Sequence, residues 1–108
     1  MTVGDWLSAR APAPPSPLAE RLHEALGARL GDDSRHAYES VLATSESLLA
    51  ELIALECAHR DRALDLLAVD ALVTYAFEAA SESPDSLAER ATGAMSEIAR
   101  LAEPPSIA

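Results

Sequence analysis

Two short stretches carry the residue types of a carboxylate–imidazole metal site: Glu20 with His23, and Glu56 with His59, each pair spaced three apart. On a helix that spacing brings both side chains to one face. Ferritin-like bundles use two such pairs, with a glutamate from each of two further helices, to hold two metal ions. His36 and Glu39 show the spacing in reverse, as an isolated pair. The competing possibility is a solvated helix surface, where such pairs form screened contacts of small worth and arise readily in an acidic sequence. The leucines around Glu20 turn it away from their apolar face. Glu56 and His59 fall at an expected helix end, many turns from glutamates such as Glu78. Metal binding is therefore the alternative expectation here, and no cofactor is assigned.

A second feature is the stretch LLAVDALVTYAF, residues 66–77, apolar except for Asp70 and Thr74. At 100° per residue Asp70, Thr74, Glu78 and Ser81 share one narrow sector, while Leu64, Leu66, Val69, Leu72, Val73, Tyr75, Ala76, Phe77 and Ala80 cover most of the rest. Asp65 alone interrupts the apolar side. Burying an unpaired carboxylate costs several kcal/mol, on the order of 2–7 for a polar group and more for a charge. Asp70 is thus expected either at a solvated edge or at an interface where it meets an arginine. So wide an apolar arc predicts a helix surrounded by its neighbours, with surplus surface that favours a two-fold dimer through the third or fourth helix.

Residues 66–78 also resemble a core-helix segment of the trans-prenyl diphosphate synthases, with Val69 in place of a small residue. The aspartate-rich motifs of that family have no full counterpart, since Asp32-Asp33 runs on into Ser34, Arg35 and His36. The chain is also far shorter than that fold, so the likeness implies no such activity.

Other chemistries lack their residues. The lone Cys57 reads as a small buried hydrophobe. There is no Gly-x-Ser-x-Gly elbow, no glycine-rich phosphate loop and no paired-cysteine zinc spacing. Catalysis is not expected. Trp6, the one tryptophan, is a candidate contact for the bundle or for a partner.

The 108 residues suffice for one modest core. Lys, Asn and Gln are absent and all eight cations are Arg, the mark of a GC-rich bacterial gene. Net charge is −10 with the arginines scattered, only Arg60 and Arg62 lying close together. This disfavours nucleic acid and anionic membranes. No apolar run spans a bilayer, no signal peptide is apparent, and the single cysteine excludes an internal disulfide; a cytoplasmic protein is expected.

Thr2 and Asp5 make a capping box for a short helix to about Arg10. APAPPSP follows as an extended spacer, ending in Ser16 as N-cap and Pro17 at the first helical position. Residues 17–30 form a helix burying Leu18, Leu22, Ala25, Leu26 and Leu30 and closed by Gly31. Asp32, Asp33 and Ser34 supply caps for a third helix, whose seam is Val41, Ser45, Leu48, Leu52, Leu55 and His59, widened by Leu42, Leu49 and Ile53. A turn at HRDR, 59–62, with Asp61 as cap, separates it from a fourth helix over about 62–82. Ser83-Pro84-Asp85 restarts a fifth, with Leu87, Ala91, Met95, Ile98 and Leu101 as its stripe. The expected fold is all-α: residues 1–16 a short N-terminal helix and proline-rich spacer, 17–103 a compact bundle of four main helices, 104–108 a tail. The expected function is non-catalytic, through protein–protein contacts, as a homodimer or an accessory or regulatory subunit. Trp6, Asp70, Thr74 and Glu78 are the interface candidates.

Overall fold

A computed structural model describes residues 1–54, 60–82 and 84–103. The fold is all-α, as expected: α1 is Val3–Ser8, α2 Ser16–Leu26, α3 Ala37–Ala54, α4 Arg60–Ser81 and α5 Leu87–Leu101.

Six residues are too few for a helix to hold alone, so α1 depends on its ends and its packing. The capping box forms: Asp5 N–H donates to Thr2 Oγ1 at 3.1 Å and Thr2 N–H to Asp5 Oδ2 at 3.0 Å. These donors hold the Asp5 carboxyl below the usual carboxylate range. The preceding backbone is tied down as well, Val3 N–H donating to Asp32 C=O and Ser34 N–H to Met1 C=O. Val3, Trp6 and Leu7 then enter the common core.

Helix α2 begins one residue earlier than expected. The Pro15 carbonyl accepts the Ala19 N–H at 2.9 Å, so Pro15 is the cap, Ser16 is already helical, and Ser16 makes no side-chain cap. Its end also differs. Gly27, not Gly31, terminates it with φ 52° and ψ −123°, and a tight turn over Gly27–Gly31 carries the chain on. That turn packs on α1, where a Cβ added at Gly4 would lie 3.3 Å from the Leu30 carbonyl oxygen. Gly27 occupies backbone space that side chains avoid although the space around it is open. Gly27→Ala is therefore expected to destabilise by about 1–3 kcal/mol through strain alone. Gly31→Ala, at an ordinary φ and also in open space, should cost nearly nothing; urea unfolding of the two variants checks the contrast.

Asp33 caps a short turn, Ser34–His36, by accepting the Arg35 N–H at 2.9 Å, and Asp32 instead accepts from Ser40 Oγ at 2.8 Å. Along α3 the seam Val41, Ser45, Leu48 and Leu52 is buried as expected, with Leu42 beside it. Ser45 sits there without penalty because its hydroxyl donates to the Leu42 carbonyl at 2.7 Å. Ile53 departs from the expectation and is 50% exposed. Leu55 and His59 lie outside the described residues.

Helices α3 and α4 form the largest helix pair and are not one rod. The Arg62 guanidinium donates to the Leu52 carbonyl, which ten helical residues would place roughly 15 Å away. Residues 60–62 are already helical, against the expected turn over 59–62, and His59 lies outside the described residues. Nor is α4 the surrounded helix. Its buried stripe is Ala68, Leu72, Ala76, Ala79 and Ala80, mostly small residues that let neighbouring backbones approach, while Leu66 and Leu67 are each 56% exposed. Helix α3 buries more.

Pro84–Ser86 forms the turn into α5; the expected cap Ser83 lies outside the described residues. The stripe of α5 passes through the buried Ala94 and not through Met95, which is 68% exposed. A 4-3-4-3 alternation from Leu87 runs 87, 91, 94, 98, 101, so the stripe shifts by one residue at its centre.

Candidate functional site

Trp6 is 4% exposed and is taken up by this chain itself. Its Nε1–H donates to Glu82 Oε1 at 2.8 Å, across 76 residues of sequence. Arg10 lies one turn further on, beyond the end of α1, and its guanidinium stacks 4.3 Å from the Trp6 ring centroid. Arg10 Nη1 stands 3.9 Å from Glu78 and 4.0 Å from Glu82. Two carboxylates at the C-terminal end of α4 thus fix the N-terminal helix through one indole and one guanidinium.

Below this cluster the proline-rich spacer arches over α2 and α4 and leaves a cleft of about 200 Å³. Its walls are apolar, from Leu7, Ala13, Pro14, Ala19 and Leu22. Its polar groups are Arg10, His23, Tyr75 and Ser8, with no carboxylate among the lining residues. His23 Nδ1 lies 2.7 Å from the Ala19 carbonyl. A carbonyl only accepts, so Nδ1 carries the proton and Nε2 is the remaining ring nitrogen. Burial pushes the Tyr75 phenol above its ordinary pKa, and Arg10 draws it partly back. Arg10 Nε is buried and has no acceptor among the described residues.

The metal candidates are not brought together in what is described. Glu20 and His23 are both exposed on α2, and Glu56 and His59, with Cys57, lie outside the described residues. Among the described residues no group of three or more His, Cys, Asp or Glu is placed to share an ion.

The polar sector of α4 is at the surface. Asp70, Thr74, Glu78 and Ser81 are exposed, Thr74 Oγ1 donating to the Asp70 carbonyl and Ser81 Oγ to the Glu78 carbonyl. Glu78 faces Arg10, a contact that no local pattern announces. Asp65, the one acid on the apolar side, is matched by Arg21 at 2.5 Å, and this contact raises the Arg21 pKa further. Arg90 behaves similarly at the far side of the bundle. It stacks 4.7 Å from the Tyr38 ring while its carbonyl accepts the Tyr38 hydroxyl. No described helix is long and apolar enough to cross a membrane.

No known protein family, curated protein or solved structure matches this chain.

Proposed function

We propose that the protein works without catalysis, through protein–protein contact, and that its first partner is a second copy of itself bound along the outer face of α4. The observation that carries this reading is the exposed leucine pair, Leu66 and Leu67, at the same end of the α3–α4 pair as the exposed Ile53. Adjacent leucines half in water are surface that association would cover.

The face is self-complementary. Arg62, Leu66 and Asp70 are spaced four apart along α4. An antiparallel crossing of two α4 helices about Leu66 sets residue 62 of each copy opposite residue 70 of the other, guanidinium to carboxylate, twice by symmetry. Within its own chain Arg62 also donates to the Leu52 carbonyl. The net charge of −10 opposes approach at long range, and physiological salt screens that repulsion beyond about 8 Å.

Light scattering at micromolar concentration and physiological salt is expected to give the dimer mass. Leu66→Asp should give the monomer with unchanged helix content, and Asp70→Arg should weaken assembly by roughly tenfold, about 1.4 kcal/mol. A wild-type chain that stays monomeric overturns self-association.

A further inference from the structure

Arg10, Arg21, Arg35, Arg90 and Arg100 each stand in an ion pair with a carboxylate. Arg29 is held differently. Its Nη1–H donates to the Thr44 hydroxyl at 2.9 Å, and among the described residues no carboxylate lies within ion-pair distance of it. Thr44 is buried and its own hydroxyl proton goes to the Ser40 carbonyl at 2.9 Å, so its oxygen is committed as an acceptor and fixes the guanidinium. Arg29 stands at one end of a groove of about 220 Å³ between α2 and α3. Toward the other end are Glu24 and Glu51, both exposed and neither ion-paired among the described residues. Their charges help to hold the Arg21 proton, but Arg21 is already matched by Asp65 at 2.5 Å, a residue outside the lining. Thr44 and Glu51 share one face of α3, roughly 10 Å apart along its axis. The groove therefore runs from a positive end to a negative end, with Ala25 and Leu48 as apolar surface between them.

We propose that this groove binds a small zwitterion whose charges sit at opposite ends of a short aliphatic chain, an ω-amino carboxylate. Its carboxylate lies on Arg29 and its ammonium between Glu24 and Glu51. With Nη1 turned to Thr44, Arg29 keeps Nε and Nη2 for a ligand, the edge of a guanidinium that grips a carboxylate by two parallel hydrogen bonds. Neither of these nitrogens is sealed from solvent. A simple anion would meet Arg29 but also face the two glutamates, and a simple cation would meet the glutamates but face Arg29. Only a molecule carrying both charges, held apart, satisfies both ends. The volume of about 220 Å³ sets the size: with roughly 30 Å³ as a water's share of liquid volume, it holds about seven non-hydrogen atoms. No residue of the proposed dimer face lines the groove, so this site and that face stand or fall separately.

The test titrates the full chain at physiological salt with 4-aminobutanoate, its isomer 2-aminobutanoate, butanoate and butylammonium. NMR follows the Arg29 Nε–H and the backbone amide of Ser47, which lines the same groove. 4-Aminobutanoate is expected to saturate in the millimolar range and to shift both signals. Butanoate and butylammonium, each with one charge, and 2-aminobutanoate, with its charges adjacent, should bind at least tenfold more weakly. Arg29→Gln removes the positive end, and Glu24→Gln with Glu51→Gln removes the negative end. Each is expected to weaken 4-aminobutanoate at least tenfold with the helix signal intact, since none of the three side chains belongs to the core. The site is overturned if 4-aminobutanoate does not saturate, if any of the other three compounds binds equally, or if either variant binds like the wild type.

Discussion

Trp6→Ala is expected to lower the unfolding free energy by about 3–5 kcal/mol, the usual cost of removing a buried tryptophan. Three separate losses add up at this residue. The ring leaves a cavity among Val3, Leu7 and the helices they join. The Glu82 carboxylate loses its indole donor. Arg10 loses the surface on which it lies, and with it the orientation that brings Glu78 and Glu82 to α1. Trp6→Phe separates these contributions in part, since it keeps one aromatic ring in the core and removes the N–H with the second ring, and should cost at least roughly 1–2 kcal/mol, the range for a hydrogen bond to a charged group at a partly exposed site. Urea unfolding followed by far-UV circular dichroism measures both variants. Equal stability of Trp6→Ala and wild type would mean that α1 is not part of the cooperative core.

Leu72→Asp should be worse, with a loss beyond about 4 kcal/mol. Leu72 is fully buried at the centre of the α4 stripe, between Ala68 and Ala76. With Leu72 fully enclosed in the core cluster, a carboxylate at this position has no path to water. Total stability for a domain of this size is about 5–15 kcal/mol, so the variant is expected to lose most of its helix signal at room temperature. Leu66→Asp makes the same chemical change six residues earlier and should leave the fold intact, because that side chain is already half in water. Comparable thermal melts for the two variants would contradict the burial pattern of α4.

Local features of the fold were legible because their causes are local. The Thr2–Asp5 box needs only two residues three apart, and the α3 seam follows from apolar spacing. The apolar spacing places the end of α2 at Gly31, whereas the positive φ falls at Gly27. A glycine at either position can close a helix, and packing decides which one does. The fourth helix misled for another reason: apolar residues on nearly every side give no face, so the burial of Ala68, Ala76 and Ala80 and the exposure of Leu66 and Leu67 depend on where α3 passes. Single arginines looked like scattered surface charge. Their partners, Asp65 for Arg21 and Glu78 with Glu82 for Arg10, come from other helices. The cleft was equally hidden, because the proline run announces an extended segment and says nothing of what it covers.

The Trp6–Glu82 bond has a consequence for the order of events during synthesis. The indole precedes its carboxylate partner by 76 positions. At about 5–20 residues per second the ribosome takes roughly 4–15 seconds to supply it. Through that interval α1 is a six-residue segment without the neighbour that secures it, and its tryptophan is open to chaperones and to other nascent chains. Helix α1 is therefore made well before the helix end that holds it.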